Sequence, residues 1–184
     1  MKHAVVALSL LVSLSITASV ASAGEPPVAL PKPEEATKVV KAWAAAWAAE
    51  DSEKALPLTG TPFWMLEVLA GKEDPNCATT VVTKSDALED ALSCKNITDG
   101  GWEFAKRATK VWTAKDLGKL TGKITKHKKK LTEWAKTHTL LVWSDDHPAV
   151  VQDWLIVPVA RDKDGAIRVH GFLYGQDFYK PAKK

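Results

Sequence analysis

Cysteine is scarce: the 184 residues hold two, Cys77 and Cys94. Two thiols alone cannot complete a four-ligand zinc site, and these two do not form a C-x-x-C redox pair. Charge imbalance is also small, +3 over the whole chain, which is too mild to imply a polyanionic partner. No G-x-S-x-G, H-E-x-x-H or glycine-rich phosphate loop occurs, so there is no motif for a serine hydrolase, a zinc protease or a nucleotide-phosphate cradle. Beyond the first residues no apolar run is long enough to cross a bilayer. These absences predict no nucleic-acid partner, no membrane span, no metal and no cofactor.

The first residues are informative. Met1-Lys2-His3 is a short positive segment, Ala4 to Ile16 is apolar, and Ala21-Ser22-Ala23 is a small-x-small cleavage site. This pattern predicts a signal peptide over 1–23 and an exported chain, periplasmic or extracellular. No cysteine follows the cleavage site, so a lipoprotein anchor is not indicated. Without Lys2 the net charge falls to +2. In an oxidising compartment an even pair of cysteines reads as a disulfide, here Cys77–Cys94. Its loop would contribute ~3 kcal/mol in the chain-entropy view. Residues 24–33 (GEPPVALPKP) are proline-rich and aperiodic, an extended leader to a single domain over 34–180.

Pro33, Glu34 and Glu35 suit the start of a helix running to about Glu50, with Val39, Trp43, Ala46 and Trp47 in one stripe and Val40 at its margin. A helical turn from Asp51 stops near Pro57. Thr61 to Leu69 reads as a strand, with helix as the alternative because Met, Leu and Glu are helix formers; Ala78 to Thr83 reads as a second strand, and Ser85 caps a short helix over 86–93. The segment 102–113 fits helix or strand. Thr113 with Asp116 caps a short helix to Leu120, and Ile124 to Lys136 is helical. The run from Lys119 to Lys130 carries six lysines and reads as a solvated face, with an anionic envelope polymer as the other partner it would suit.

The C-terminal part, His138 to Gln176, holds three runs of Val, Ile, Leu, Trp and Tyr broken by Asp, Pro and Gly. These are three consecutive antiparallel strands, the last two joined at Asp164-Gly165. Strict alternation places Asp153, Leu155, Val157 and Val159 on one face with His170, Phe172 and Tyr174. The other face holds Trp154, Ile156, Pro158, Val169 and Leu173. Neither face is polar, so both must be covered.

A tryptophan-rich first helix, a turn at Asp51, a strand at Pro62-Phe63-Trp64, a middle helical part and three long strands follow one another. In that order of elements the chain resembles the NTF2-like superfamily, and in particular small exported bacterial NTF2-like or SnoaL-like proteins with a disulfide around a segment such as CATTVVTKSDALEDALSC. The resemblance implies an α+β cone in which a curved antiparallel sheet wraps the N-terminal helix and encloses a pocket. It implies no single function, because the superfamily includes isomerases, dehydratases and non-catalytic binding domains. Candidate pocket residues are Asp153, His170, Phe172, Tyr174, Trp43 and Trp47. The expected function is non-catalytic binding of a small apolar or amphipathic ligand. The alternative is a lyase or isomerase using an acid/base pair among Asp153, His170 and Tyr174. His138, Asp146 and His147 are metal-ligand types, but turn chemistry accounts for Asp-Asp-His-Pro.

Overall fold

The computed structural model describes residues 28–68, 80–84, 87–88, 105–118, 120, 123–144 and 151–178. The signal peptide expected over 1–23, Cys77 and Cys94, Asp146 and His147 lie outside them, as does nearly all of the helix expected over 86–93. The architecture is mixed α+β: helices cover both faces of an open, six-stranded sheet. The first helix, α1, spans Pro33–Ala48. Pro33 presets φ at its first turn, and the Lys32 amide donates to the Glu35 carboxylate at 2.9 Å. α1 buries Ala36, Val40, Trp43, Ala44, Ala46 and Trp47. Val40 is therefore inside the stripe, and Val39 is only partly buried. Glu50 takes a left-handed φ of 55° and turns the chain into α2, Ser52–Ala55, which Asp51 caps through the Lys54 amide. Pro57 does not stop the chain's coiling at once, because Leu56–Leu58 forms a 3-10 turn before the first strand.

That strand, β1, spans Thr59–Val68, and β2 spans Thr80–Val82. The undecided segment contains β3, Lys110–Trp112. The next helix, α3 (Ala114–Leu117), opens as the sequence predicts: the Thr113 amide and hydroxyl both donate to Asp116, at 3.0 and 2.8 Å. A 3-10 turn over Lys123–His127 leads into α4, Lys128–Thr137. The last three strands are β4 (Thr139–Ser144), β5 (Val151–Arg161) and β6 (Ile167–Phe178). The spatial order is β2-β1-β6-β5-β4-β3. All pairs are antiparallel except β1 with β6, which is parallel.

Each face has its own core. On one, α1 packs Trp43 and Trp47 against Phe63, Leu141, Leu155, Val157, Val159, Val169 and Phe172. Phe63 links the helix to β6, its ring 6.1 Å from Trp43 and 6.0 Å from Phe172. The Trp43 indole N–H donates to Thr59 Oγ1 (3.0 Å), whose hydroxyl donates to the Ala55 carbonyl (2.9 Å). On the other face, Leu117, Ile124, Leu131 and Trp134 pack on Leu66, Leu140, Val142, Trp154, Ile156 and Leu173. Both faces are covered, as the doubly apolar strands require.

The facing of β6 differs from strict alternation. Ile156 pairs with Leu173 and Val159 with Val169, so β6 carries one residue more than β5 between these pairs. Such a bulge reverses parity. Gly171 lies in it with a φ of +150°, and a β-carbon there would strike the Trp64 carbonyl and stand 2.9 Å from its amide nitrogen. Pro158, which has no amide to give the ladder, lies opposite the irregular stretch. Val169 therefore joins Phe172 on the α1 face, and His170 turns to the face of α4. The sequence expectation of His170 beside Phe172 and Tyr174 is thereby corrected.

Candidate functional site

The chain enters the domain through residues 28–32, held where the buried Thr139 hydroxyl donates to the Pro31 carbonyl at 2.6 Å. This segment, β1, α4 and the adjoining ends of β5 and β6 enclose a half-open cleft of about 680 Å³. Val28 and Ala29 form one wall, and Pro62 and Trp64 of β1 another. Helix α4 supplies Lys130, Glu133, Trp134, Lys136 and Thr137, followed by His138; Ala160, Arg161 and His170 complete the lining. A volume of several hundred Å³ is the scale of a small-molecule site, and here apolar and aromatic walls are joined by charged and imidazole side chains.

His170 is held from several sides. Its Nε2 stands 2.9 Å from Asp162 Oδ1, and the other Asp162 oxygen accepts from Arg168 at 2.7 Å. The carboxylate is an acceptor here, so Nε2 carries the hydrogen. Arg168 also grips Asp164 through two hydrogen bonds, 2.9 and 2.7 Å, and donates from Nε to the Pro57 carbonyl at 3.2 Å. This fork holds the Asp164 carboxyl down to about 2, with the Ala166 amide adding to the effect. A β-carbon on Gly60 would strike the His170 ring, so Gly60 is the residue that admits the imidazole.

His138 faces His170 edge-on, ring centroids 5.2 Å apart and planes at 77°. Its Nδ1 is 2.8 Å from the Thr137 hydroxyl. Burial first, and then the neighbouring His170, lower its pKa to about 4; Lys130 adds to this, while the Trp134 carbonyl and Asp162 oppose it. The imidazole is therefore neutral at pH 7. Lys130 lies over Trp64, its ammonium 3.2 Å from the ring centroid and 5.6 Å from that of Trp134. It is thus not simply part of a solvated lysine face, whereas Lys128 and Lys129 are exposed.

The six candidate pocket residues divide. Trp43, Trp47 and Phe172 are core, with Tyr174 packed against them, all on the α1 face. His170 alone among them lines the cleft. Asp153 pairs with Gln176 in the β5–β6 ladder, and its side chain lies outside the described residues. Sequence reasoning missed Asp162, Arg168, Trp64 and Trp134 as a group. One signal was available: acids at 162 and 164 before the turn, and Arg168 and His170 alternating after it, are complementary across a hairpin. Among the described residues no three His, Cys, Asp or Glu side chains converge as metal ligands, and no helix is long and apolar enough to cross a membrane. No protein family, curated protein or solved structure matches the chain.

Proposed function

We propose that this chain is an exported, non-catalytic binding domain of NTF2-like type, which holds a small amphipathic ligand in the cleft between β1, β6 and α4. The observation that carries the reading is the cleft itself. Two indoles and two imidazoles converge on a half-open space that the side chains of the described residues do not fill. The element order, with a tryptophan-rich helix laid on a mixed six-stranded sheet, supports the NTF2-like part. The cleft, however, lies across the sheet from α1, not beside it. The signal-peptide pattern supports export, and mass spectrometry of the exported fraction would find Gly24 at its start.

The test is a small-molecule screen read by melting temperature and tryptophan fluorescence, on the wild type and on Ala160→Phe. Ala160 lines the cleft, so the larger ring fills it. Ligands should shift the wild type and lose their effect in the variant, whose fold persists. Ligand shifts equal in both proteins refute the site.

One observation favours the enzyme reading: the Asp162–His170 pair has the geometry by which a carboxylate orients an imidazole general base. Tyr174 does not join it, being on the other face. A reaction that survives His170→Gln undiminished removes this second reading.

A further inference from the structure

We infer that the cleft selects an anionic amphiphile, with a carboxylate or similar head against the Lys130 ammonium and an apolar body across Trp64 and Trp134. The inference rests on the cleft being a ligand site and names the class of that ligand. Among the described residues the Lys130 ammonium has no ion pair or hydrogen bond; its contacts are the two indole faces. Loss of water around it already holds its pKa below the ordinary lysine value, and Glu133 only opposes this through space. A partly dehydrated cation without a paired anion is an incomplete arrangement. Any body laid over Trp64 and Trp134 removes more of its water.

The three ligand charges then differ. A neutral apolar body would bury the ammonium unpaired, which is costly. A cationic head would meet Lys130 already seated on the Trp64 ring and be repelled. An anionic head replaces the lost water with a charge-assisted hydrogen bond in a low-dielectric place, where such bonds are strongest. The rest of the lining points the same way. Lys136 and Arg161 add positive charge, against the single carboxylate of Glu133. Arg161 is partly engaged, 3.3 Å from Glu35 and 3.0 Å from the Gly165 carbonyl, and Lys136 is exposed, so Lys130, set against both indoles, is the head-group contact.

The experiment compares octanoate, octanol and octyltrimethylammonium by titration calorimetry on the exported chain and on Lys130→Met. Octanoate is expected to bind at least about tenfold more tightly than octanol, the difference that one charged hydrogen bond supplies. In Lys130→Met that preference should vanish while octanol binding is kept. A second measurement needs no variant. Octanoate should slow acetylation of Lys130 by a soluble amine reagent, read by peptide mass spectrometry, relative to exposed Lys128 and Lys129. Equal binding of octanoate and octanol overturns the head-group inference and leaves the cleft reading standing. Tightest binding by the ammonium compound overturns it in favour of an aromatic cation cage. Octanoate that fails to bind, or that does not protect Lys130, also overturns it. The cleft reading itself falls only if the Ala160→Phe screen finds no site.

Discussion

His138 should make this protein lose stability on mild acidification. Its pKa lies at about 4 in the folded chain against 6.5 for an ordinary histidine. Between those two values the unfolded chain binds a proton that the native chain refuses. The sign follows: the contribution is complete above pH 6.5 and is lost as the pH falls toward 4. At about 1.4 kcal/mol per pH unit the full difference would be ~3.4 kcal/mol. The imidazole is at a cleft and keeps some contact with water, so we expect roughly 2 kcal/mol. Burial sets the direction, and the groups facing the ring modify it. His170, Lys130, Lys136 and Arg161 oppose a positive imidazole, while Asp162 and Glu133 favour it. The carboxylates lowered by their partners, Asp164, Glu35 and Asp51, are common to the wild type and the variant, so their contributions cancel in the comparison. Urea unfolding of the wild type and of His138→Gln at pH 7, 6, 5 and 4.5 provides the assay. The wild type should lose about 2 kcal/mol more than the variant across the series. Parallel pH curves would refute the buried, neutral imidazole.

Three further outcomes follow from the packing. Gly171→Ala should destabilise by about 3 kcal/mol, from a φ that L-residues resist and a β-carbon against the Trp64 backbone; a midpoint in urea unchanged from wild type would refute the bulge. Thr59→Val removes both the acceptor of the Trp43 indole and the donor to the Ala55 carbonyl, and should cost about 1–3 kcal/mol by the same assay. Lys128→Glu with Lys129→Glu should leave the melting temperature nearly unchanged, whereas Lys130→Glu should lower it by several degrees, because only Lys130 is seated on an indole; equal effects would refute that seat.

Local signals carried far along this chain. Pro33 with two glutamates marks α1, Thr113 with Asp116 marks α3, and the β-branched runs mark β4 to β6. The doubly apolar pattern of β5 and β6 correctly requires cover on both faces. Such features depend on residues within a few positions of one another. What local signals do not carry is parity past an irregularity. Counting alternate residues treats β6 as an unbroken ladder: the parity it assumes holds beyond Gly171, where Leu155 faces Tyr174, and fails between Gly171 and the Asp164-Gly165 turn, where Val159 faces Val169. The cause lies more than 100 residues earlier in the chain: β1 arrives alongside β6 in parallel and presses the Trp64 backbone on Gly171. A glycine in an apolar strand hints at a bulge or a close approach but does not say which neighbour comes.

The displaced residue is the one around which the candidate site is built. Counted back from Phe172 by strict alternation, His170 would fall on the α1 face, which is packed by Trp43, Phe63 and Phe172; the additional residue in β6 lets Phe172 keep that face while His170 points to the other. With it, the imidazole reaches Asp162 and His138 and meets α4, whose basic run contributes Lys130. Gly60 and Gly171 have separate parts in this. One leaves room for the ring, and the other lets the strand turn it across the sheet. The candidate site thus lies where the regular pattern of the sheet is broken, and the break depends on a glycine whose neighbour in the sheet is distant along the chain.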